Sequence, residues 1–285
     1  METGRASKTA LGVAIRRAAH QLVDHPPVLD DPLALRLVGN VYPHRMERAM
    51  HPVARDFRCF MAARSRYAED QLAAAVAQGV RQYVILGAGL DTFAYRNPFP
   101  DIQVFEVDFP ATQVWKREML AQANIPVPPN LAFLPIDFEH HTLAEGLAGA
   151  QFDSSAPAFF GWLGVVPYLT LGAFRSTLET IARMPSGSAV SFDYGRDPST
   201  LGPLGRIAFD RLASRVAAAG EPFQLFFTPQ QLAAELDSMR LHVVEDLGTA
   251  ALTARYFAGR SDNLSLRGEA VRICIAASTA AEVRD

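Results

Sequence analysis

Residues 82 to 91 read Gln-Tyr-Val-Ile-Leu-Gly-Ala-Gly-Leu-Asp, a short apolar run that ends abruptly at two closely spaced glycines. The run predicts a buried strand, and Gly87-Ala88-Gly89 predicts a turn of bare main chain at its carboxyl end. A parallel α/β sheet uses such a turn to bring backbone close to a nucleotide-like ligand. This feature therefore favours a Rossmann-like α/β fold with a ligand crevice at the carboxyl edge of the sheet.

The residues after the turn indicate which ligand is favoured. A dinucleotide-binding fingerprint has a third glycine three residues after Gly89, where a helix N-terminus meets a pyrophosphate. Thr92 occupies that position and Asp91 precedes it, so a carboxylate stands where a phosphate would approach. A ligand with an adenosine part and a cationic part, such as S-adenosylmethionine, suits this loop better than a diphosphate.

Apolar runs alternate with helical patterns after this first strand. They predict a mostly parallel, seven-stranded sheet with helices on both faces and an antiparallel last strand. The strands are expected at 82–87, 102–107, 131–136, 157–163, 188–193, 241–246 and 271–277. Residues 1–78 are expected to form an N-terminal helical cap over the carboxyl edge of the sheet. Residues 79–285 would then form the α/β core, with a helical insertion at about 196–228.

Composition and charge exclude several classes of partner. The net charge is −3 and Lys and Arg are scattered, which argues against nucleic acid or an anionic membrane surface. The uncharged stretch 154–174 is long enough to span a bilayer, but its five Pro and Gly residues indicate a strand, a loop and a helix start. The N-terminus lacks a signal-peptide pattern, and Cys59 and Cys274 have no metal or redox spacing. We therefore expect a cytoplasmic protein without a metal site.

Acidic residues at predicted strand ends give a second signal. Asp108 ends the second strand about twenty residues beyond the glycine loop, where a carboxylate can accept both hydroxyls of a ribose. Glu106 lies two residues earlier and on the same face of that strand. Asp137 ends the third strand beside Phe138, so that the acid can accept the adenine amino group while the ring packs on the base. Arg64, on the helix before the first strand, can hold a carboxylate with two parallel hydrogen bonds.

A set of short segments points to one known family by its combination and order. The segments are Lys8-Thr9-Ala10, Arg17-Ala18, Asp30-Asp31-Pro32-Leu33-Ala34, Ala63-Arg64-Ser65-Arg66-Tyr67, Leu86-Gly87-Ala88-Gly89-Leu90-Asp91-Thr92, Tyr95-Arg96, Phe105-Glu106-Val107-Asp108-Phe109-Pro110 and Lys116. In these segments the chain resembles the leucine carboxyl methyltransferase-like family of class I S-adenosylmethionine-dependent methyltransferases. The resemblance runs in order through nearly the whole chain and is far more specific than a lone Gly-x-Gly.

The resemblance implies a role for each matching position. Arg64 would grip the cofactor carboxylate, and Lys8 of the cap would approach the same group. Gly87 and Gly89 would line the methionine part, and Asp108 would bind the ribose. The expected cofactor contacts are in full Lys8, Arg64, Gly87, Ala88, Gly89, Asp91, Glu106, Asp108, Asp137 and Phe138.

The adenine is implied to lie against Asp137 and Phe138. The chain departs from the family pattern in the loop after the fourth strand, which commonly carries Glu-Gly in the family. Leu163 stands here in the place of that acid, so any role of the acid is in doubt. We expect Trp162 and Tyr168 to shape an apolar substrate pocket instead.

The sequence thus predicts an S-adenosylmethionine-dependent O-methyltransferase acting on a carboxylate or hydroxyl of a small molecule. Asp193 and Tyr194 end the fifth strand beside the expected crevice, and together with Tyr168 they are the candidates for acceptor contact or catalysis. No residue is an obvious general base, and a carboxylate acceptor needs none. Two alternatives stay open: an NAD(P)-dependent oxidoreductase, and a non-catalytic cofactor-binding protein of the same fold.

Overall fold

A computed structural model of the chain describes residues 7–39, 42–137, 141–218 and 220–278. One mixed sheet of eight strands dominates these residues, and seven of the strands lie in the order β3-β2-β1-β4-β5-β8-β7. The strands are β1 Gln82–Leu86, β2 Gln103–Asp108, β3 Leu131–Pro135, β4 Ala158–Trp162, β5 Ala189–Arg196, β6 Phe226–Phe227, β7 Leu241–Gly248 and β8 Val271–Ser278. Strands β1 to β5 pair in parallel, whereas β8 is antiparallel to both of its neighbours. The predicted mostly parallel sheet with an antiparallel last strand is confirmed.

Helices cover both faces of the sheet and precede its first strand. They are α1 Lys8–Val23, α2 Pro32–Val38, α3 Pro43–Met50, α4 Arg55–Ala77, α5 Phe93–Arg96, α6 Pro110–Gln122, α7 Leu143–Ala148, α8 Leu171–Ala182, α9 Pro203–Ala218, α10 Pro229–Ser238 and α11 Thr249–Tyr256. Short 3-10 helices occur at Pro52–Ala54, Val166–Tyr168 and Pro198–Thr200. Local chemistry explains individual starts: Asp31 caps α2 by accepting from the Ala34 N–H at 3.1 Å, and a proline follows it.

Strand β1 is buried on both faces, as a parallel strand between two layers of helices must be. Side chains alternate along it, so Tyr83 and Ile85 enter a core cluster that includes much of α4. Val84 and Leu86 enter the opposite cluster, which includes the buried face of α8. The sheet is thereby held rigidly, and its carboxyl edge becomes a fixed platform.

The N-terminal helices lie against that edge. Leu11 and Ile15 of α1 share a third apolar cluster with Leu90, in the loop after β1, and with Met119 of α6. The cluster joins the N-terminal helices to the crevice side of the sheet. The boundary between a cap of 1–78 and a core of 79–285 stays a prediction.

The structure differs from the sequence prediction at several places. Helices α3 and α5 were not predicted, and strand β6 lies inside the stretch 196–228 that was expected to be a helical insertion. The prediction that Trp162 shapes a substrate pocket is wrong. Its ring is 2% exposed and stacks on Phe174 of α8, with centroids 5.7 Å apart. Alternation along β4 turns this residue into the core rather than toward the crevice.

Candidate active site

The loop after β1 presents its main chain between two other segments. Gly87 has φ +68°, and a Cβ built on it would lie 2.3 Å from the Val165 Cγ2 atom. Gly89 has φ +46°, and a Cβ there would lie 3.0 Å from the Ala10 Cβ atom of α1. Both positions therefore require glycine, for the left-handed backbone and for the close approach. The Gly87 and Ala88 N–H groups donate to the Val107 carbonyl at 2.8 and 3.1 Å, which fixes the turn against β2.

The carboxylate of Asp108 lies directly beside this loop. It accepts from the Gly89 N–H at 2.5 Å and from the Phe109 N–H at 2.6 Å. Burial raises the pKa of Asp108, while the two backbone donors act in the opposite direction. The residue as a whole is half-buried. The strand-end acid and the glycine loop thus meet, as expected for a site that holds a ribose.

Glu106 is in a different environment from Asp108. Its side chain is completely buried, and its Oε2 lies 2.7 Å from the Nζ of Lys116, which is also enclosed. Burial raises the pKa of Glu106, with Lys116 acting in the opposite direction. The Lys116 Nζ also lies 5.4 Å from the centroid of the Tyr95 ring. Glu106 therefore faces an internal ion pair and not the open crevice.

The third strand end lies next to the second. Pro135 pairs with Asp108 in the sheet, and the Ile136 N–H donates to the Asp108 carbonyl at 2.9 Å. The half-buried Asp137 follows, and its carbonyl accepts from the His141 N–H at 2.8 Å. The expected adenine acid is therefore one strand away from the expected ribose acid. Phe138 and the Lys8 side chain lie outside the described residues.

Arg64 and Asp193 form a buried pair on the other side of the glycine loop. Nη1 of Arg64 donates to Asp193 Oδ2 at 2.8 Å, and each side chain is 6% exposed. The Gly164 N–H donates to Asp193 Oδ1 at 2.6 Å, and a Cβ on Gly164 would lie 2.9 Å from the Arg64 guanidinium. Asp193 and Gly164 thus fix the guanidinium on two sides.

The Nε donor of the Arg64 guanidinium differs from Nη1 in its surroundings. Its Nε is buried and has no hydrogen-bond partner among the residues that the structure describes. A buried N–H without a partner is costly, since the group loses water and gains nothing in return. A ligand carboxylate would satisfy this donor, which is the role that the sequence expects of Arg64.

The three candidates for acceptor contact are separated by the structure. Asp193 faces Arg64, whereas Tyr194 points to the opposite face of β5 and lies in the core. The Tyr194 hydroxyl donates to Asp246 Oδ2 at 2.8 Å. Tyr168 is half-buried on the 3-10 helix after β4, and burial raises its pKa to about 12 while the nearby Arg64 charge opposes that shift. Asp193 and Tyr168 therefore share the crevice side with Arg64, and Tyr194 does not.

A second charged cluster joins α1 to the loop; it contains Asp91, an expected cofactor contact, and Arg17, which sequence reasoning did not assign to the site. Arg17 is buried and binds Asp31, Asp91 at 3.2 Å and the Thr92 hydroxyl at 2.5 Å. Asp91 also accepts from the Phe93 N–H at 2.7 Å. Asp91 is thus occupied by the protein's own donors. The sequence feature that could have indicated this cluster is the position of Arg17 next to the apolar stripe of α1. An arginine at that position is expected to face inward and to pair with an acid.

Leu163, which stands in the place of the family acid, is half-buried and packs against the apolar cluster that contains Tyr83. Across the described ranges, no group of three or more His, Cys, Asp or Glu side chains could hold a metal ion. Nor is any helix within those ranges both long and apolar enough to cross a bilayer.

Comparison with known proteins shows the family and the fold of the chain. The profile of the leucine carboxyl methyltransferase family matches residues 10–182. The chain is 32% identical over 294 aligned residues to the Bacillus subtilis (strain 168) protein named "Putative S-adenosyl-L-methionine-dependent methyltransferase YktD", covering 93% of this chain and 96% of that one. A crystal structure of a DUF574 family protein from Streptomyces avermitilis superposes with a TM-score of 0.58 at 19% identity, over 86% of this chain and 94% of that one. The structural likeness confirms the Rossmann-like fold.

Proposed function

Since this chain belongs to the leucine carboxyl methyltransferase family and is an S-adenosylmethionine-dependent methyltransferase, we propose that it methylates an oxygen of a small molecule. The oxygen belongs to a carboxylate or a hydroxyl. The observation that supports a donor site here is the buried Nε of Arg64, which has no hydrogen-bond partner in the described part of the chain and lies near a loop of two glycines. A ligand that carries a carboxylate close to a nucleoside matches both features.

We assign the parts of the cofactor to residues along the crevice. Arg64 binds the carboxylate of the methionine part, and the main chain at 87–89 lies against the chain that joins it to the ribose. Asp108 accepts the ribose hydroxyls, exchanging its contact with the Gly89 N–H for the ligand. Asp137, one strand further on, accepts the adenine amino group. Glu106 supports this edge through Lys116 and is not a direct contact in this proposal.

The reaction balances simply. When bound, S-adenosylmethionine supplies a methyl group on a sulfonium sulfur. An acceptor oxygen donates the electron pair of the new C–O bond, and the pair of the broken S–C bond stays on sulfur. A carboxylate acceptor releases no proton, whereas a hydroxyl acceptor releases one. The main contribution of the chain is to hold oxygen and carbon in line, which is worth roughly 7–11 kcal/mol.

Tyr168 and Asp193 have distinct roles in this proposal. Because burial raises the pKa of Tyr168 to about 12, its hydroxyl is protonated at neutral pH and acts as a hydrogen-bond donor to the acceptor. Asp193 is held by Arg64 and by the Gly164 N–H, so its role is to position the guanidinium.

The proposal also covers the kind of molecule that the protein acts on and its location in the cell. Neither the net charge of −3 nor any cationic block favours nucleic acid. Cys59 and Cys274 are buried free thiols, and burial raises the pKa of Cys59 to about 12. Such thiols are inert and suit a reducing cytoplasm. We propose a cytoplasmic enzyme with a small-molecule acceptor.

Calorimetric titration with S-adenosylhomocysteine tests the donor site. We expect binding below ~100 µM, a range typical of cofactor sites. Asp108→Ala should abolish it, because the ribose loses its acceptor. Asp101→Ala is the matched control, since Asp101 is exposed near the other end of the same strand. Absence of binding to the unaltered protein, or equal binding by both variants, would refute the proposed site.

A further inference from the structure

A buried ion pair lies beside the ribose acid and takes no part in the proposed methyl transfer. Oε2 of Glu106 lies 2.7 Å from the Nζ of Lys116, and each side chain is at most 1% exposed. Moving two opposite charges out of water is costly, so such a pair often stabilises a fold no better than apolar side chains of the same size would. Stability alone therefore does not account for this pair.

Helix α6 holds the lysine against strand β2. The buried Gln113 side chain donates from Nε2 to the Glu106 carbonyl at 2.8 Å and to the Leu134 carbonyl at 3.0 Å, so α6 is fixed on β2 and β3. Lys116 lies three residues further along α6 and on the same face of that helix. Its Nζ contacts the Glu106 carboxylate and lies 5.4 Å from the centroid of the Tyr95 ring. The ammonium therefore has a fixed place behind β2.

The charge of Lys116 acts on Asp108 as well as on Glu106. The two acids lie two residues apart on the same face of β2. Burial raises the pKa of Asp108, the Gly89 and Phe109 N–H groups oppose the rise, and the charge of Lys116 opposes it as well. Burial also raises the pKa of Glu106, Lys116 opposes that rise, and the charge of Asp108 adds to it. The two carboxylates thus share one ammonium.

The elements around Asp108 carry other titratable groups. Asp91 accepts from Arg17 at 3.2 Å, so a different cation compensates its charge. Burial and the nearby charge of Glu106 raise the pKa of Tyr95, so its hydroxyl is neutral at physiological pH. The groups on these elements are Asp91 after β1, Tyr95 of α5, Glu106 of β2, Lys116 of α6 and Asp137 after β3. Lys116 is thus the cation that lies beside the two acids of β2.

We propose that Lys116 is a positioning residue of the donor site: its ammonium, fixed by Glu106 and the Tyr95 ring, keeps Asp108 ionised, so that this carboxylate accepts both hydroxyls of the ribose. The inference rests on the proposed function, because it explains how one of the cofactor contacts is held in its binding form. A protonated Asp108 would carry a donor in place of one acceptor, and would bind the two hydroxyls less well. Lys116 is enclosed and acts through Asp108, without touching the cofactor.

Calorimetric titration with S-adenosylhomocysteine across a range of pH tests this role. Lys116→Met removes the ammonium, and Glu106→Gln removes the acid that competes for it. We expect the pH at which affinity is lost to rise by about one unit in Lys116→Met and to fall in Glu106→Gln, because the first substitution disfavours an ionised Asp108 and the second favours it. Arg117→Met removes an exposed cation from the next position of α6 and should leave that pH unchanged, since solvent screens its charge.

A merely structural pair would not give opposite shifts, because each substitution leaves the other ion buried alone. Shifts in the same direction, or no shift in Lys116→Met, would overturn the inference. If a single variant does not fold, Glu106→Gln/Lys116→Met, which removes both charges, takes its place. A smaller rise in the pH at which affinity is lost supports the inference, and an unchanged pH profile refutes it. Failure of the unaltered protein to bind S-adenosylhomocysteine at any pH would instead refute the donor site itself, and this inference with it.

Discussion

At the scale of single residues, the Arg64 guanidinium decides what the crevice can hold. Two of its sides are fixed by Asp193 and Gly164, and its Nε is buried without a hydrogen-bond partner within the described ranges. A lysine could not take over this role, because a single ammonium lacks the planar set of donors that binds two carboxylates at once. The residue therefore links the fold of β5 to recognition of the donor.

We expect Arg64→Gln to weaken binding of S-adenosylhomocysteine by about ten- to hundredfold, the range for loss of a hydrogen bond to a charged group. Methylthioadenosine, which has no carboxylate, should bind the variant and the unaltered protein alike. Calorimetry with both ligands measures the difference. A parallel loss for both ligands would mean that the substitution disturbs the crevice and that Arg64 does not read the carboxylate.

Sequence reasoning identified those residues that are brought together because they follow the carboxyl ends of adjacent strands. Gly89 and Asp108 meet because adjacent parallel strands end at the same edge, which is readable from spacing alone. The pairing of Arg64 with Asp193 was not readable, since 129 residues separate them and only the tertiary packing of α4 on β5 brings them together. Trp162 was misread because a large ring near a crevice can face either side of its strand.

At the scale of elements, α1 and α4 are joined by a buried cluster of charges. Asp24, just after α1, accepts from Arg58 Nε at 2.7 Å and from Nη2 at 2.8 Å, and it lies 2.8 Å from the His20 Nδ1. Burial by itself raises the pKa of Asp24, but the hydrogen bonds from Arg58 and His20 outweigh it and lower the pKa to about 2. The pair thus stabilises the packing of the two helices.

We expect Asp24→Asn to lower the free energy of unfolding at pH 7 by about 2–3 kcal/mol, because Arg58 is left buried without its anion. A depressed pKa in the folded state contributes stability above the ordinary pKa of about 3.9 and loses it as the pH falls toward 2. The difference in the free energy of unfolding between the variant and the unaltered protein should therefore become smaller below pH 4. Urea unfolding across this pH range measures it, with Asp101→Asn as the exposed control. A difference in the free energy of unfolding that does not change with pH would contradict the conclusion that an ionised Asp24 stabilises the fold.

The elements that sequence reasoning missed are those with weak local signals. Helix α5 has four residues and α3 has a polar sequence around Met46 and Ala49, so neither shows a long apolar stripe. Strand β6 has two residues and exists only because β5 offers a free edge at Gly195 and Arg196. The long apolar runs of β1, β4 and β5, by contrast, were placed within one to three residues.

At the scale of the whole molecule, the donor joins elements that are far apart in the chain. Its proposed contacts come from α4, from the ends of β1, β2 and β3, and from the loop over which α1 lies. A ligand that binds only when all of these are in place stabilises the folded state by mass action.

S-adenosylhomocysteine at a hundredfold excess over its dissociation constant should contribute about 2.7 kcal/mol. For a chain of this size that corresponds to a rise in melting temperature of roughly 5 °C. Calorimetric scans with and without the ligand measure the rise, and it should vanish in Asp108→Ala. A rise that persists in that variant would place the ligand elsewhere.

The contact between Ala10 and Gly89 has a kinetic consequence. Because α1 rests on the glycine loop and is anchored there by Arg17, we expect that the by-product leaves the crevice only after this helix moves. We therefore expect departure of the by-product, rather than bond making, to set the pace of turnover. Weakening the contact between Arg17 and the loop would then raise the turnover rate and lower the affinity for the methyl donor.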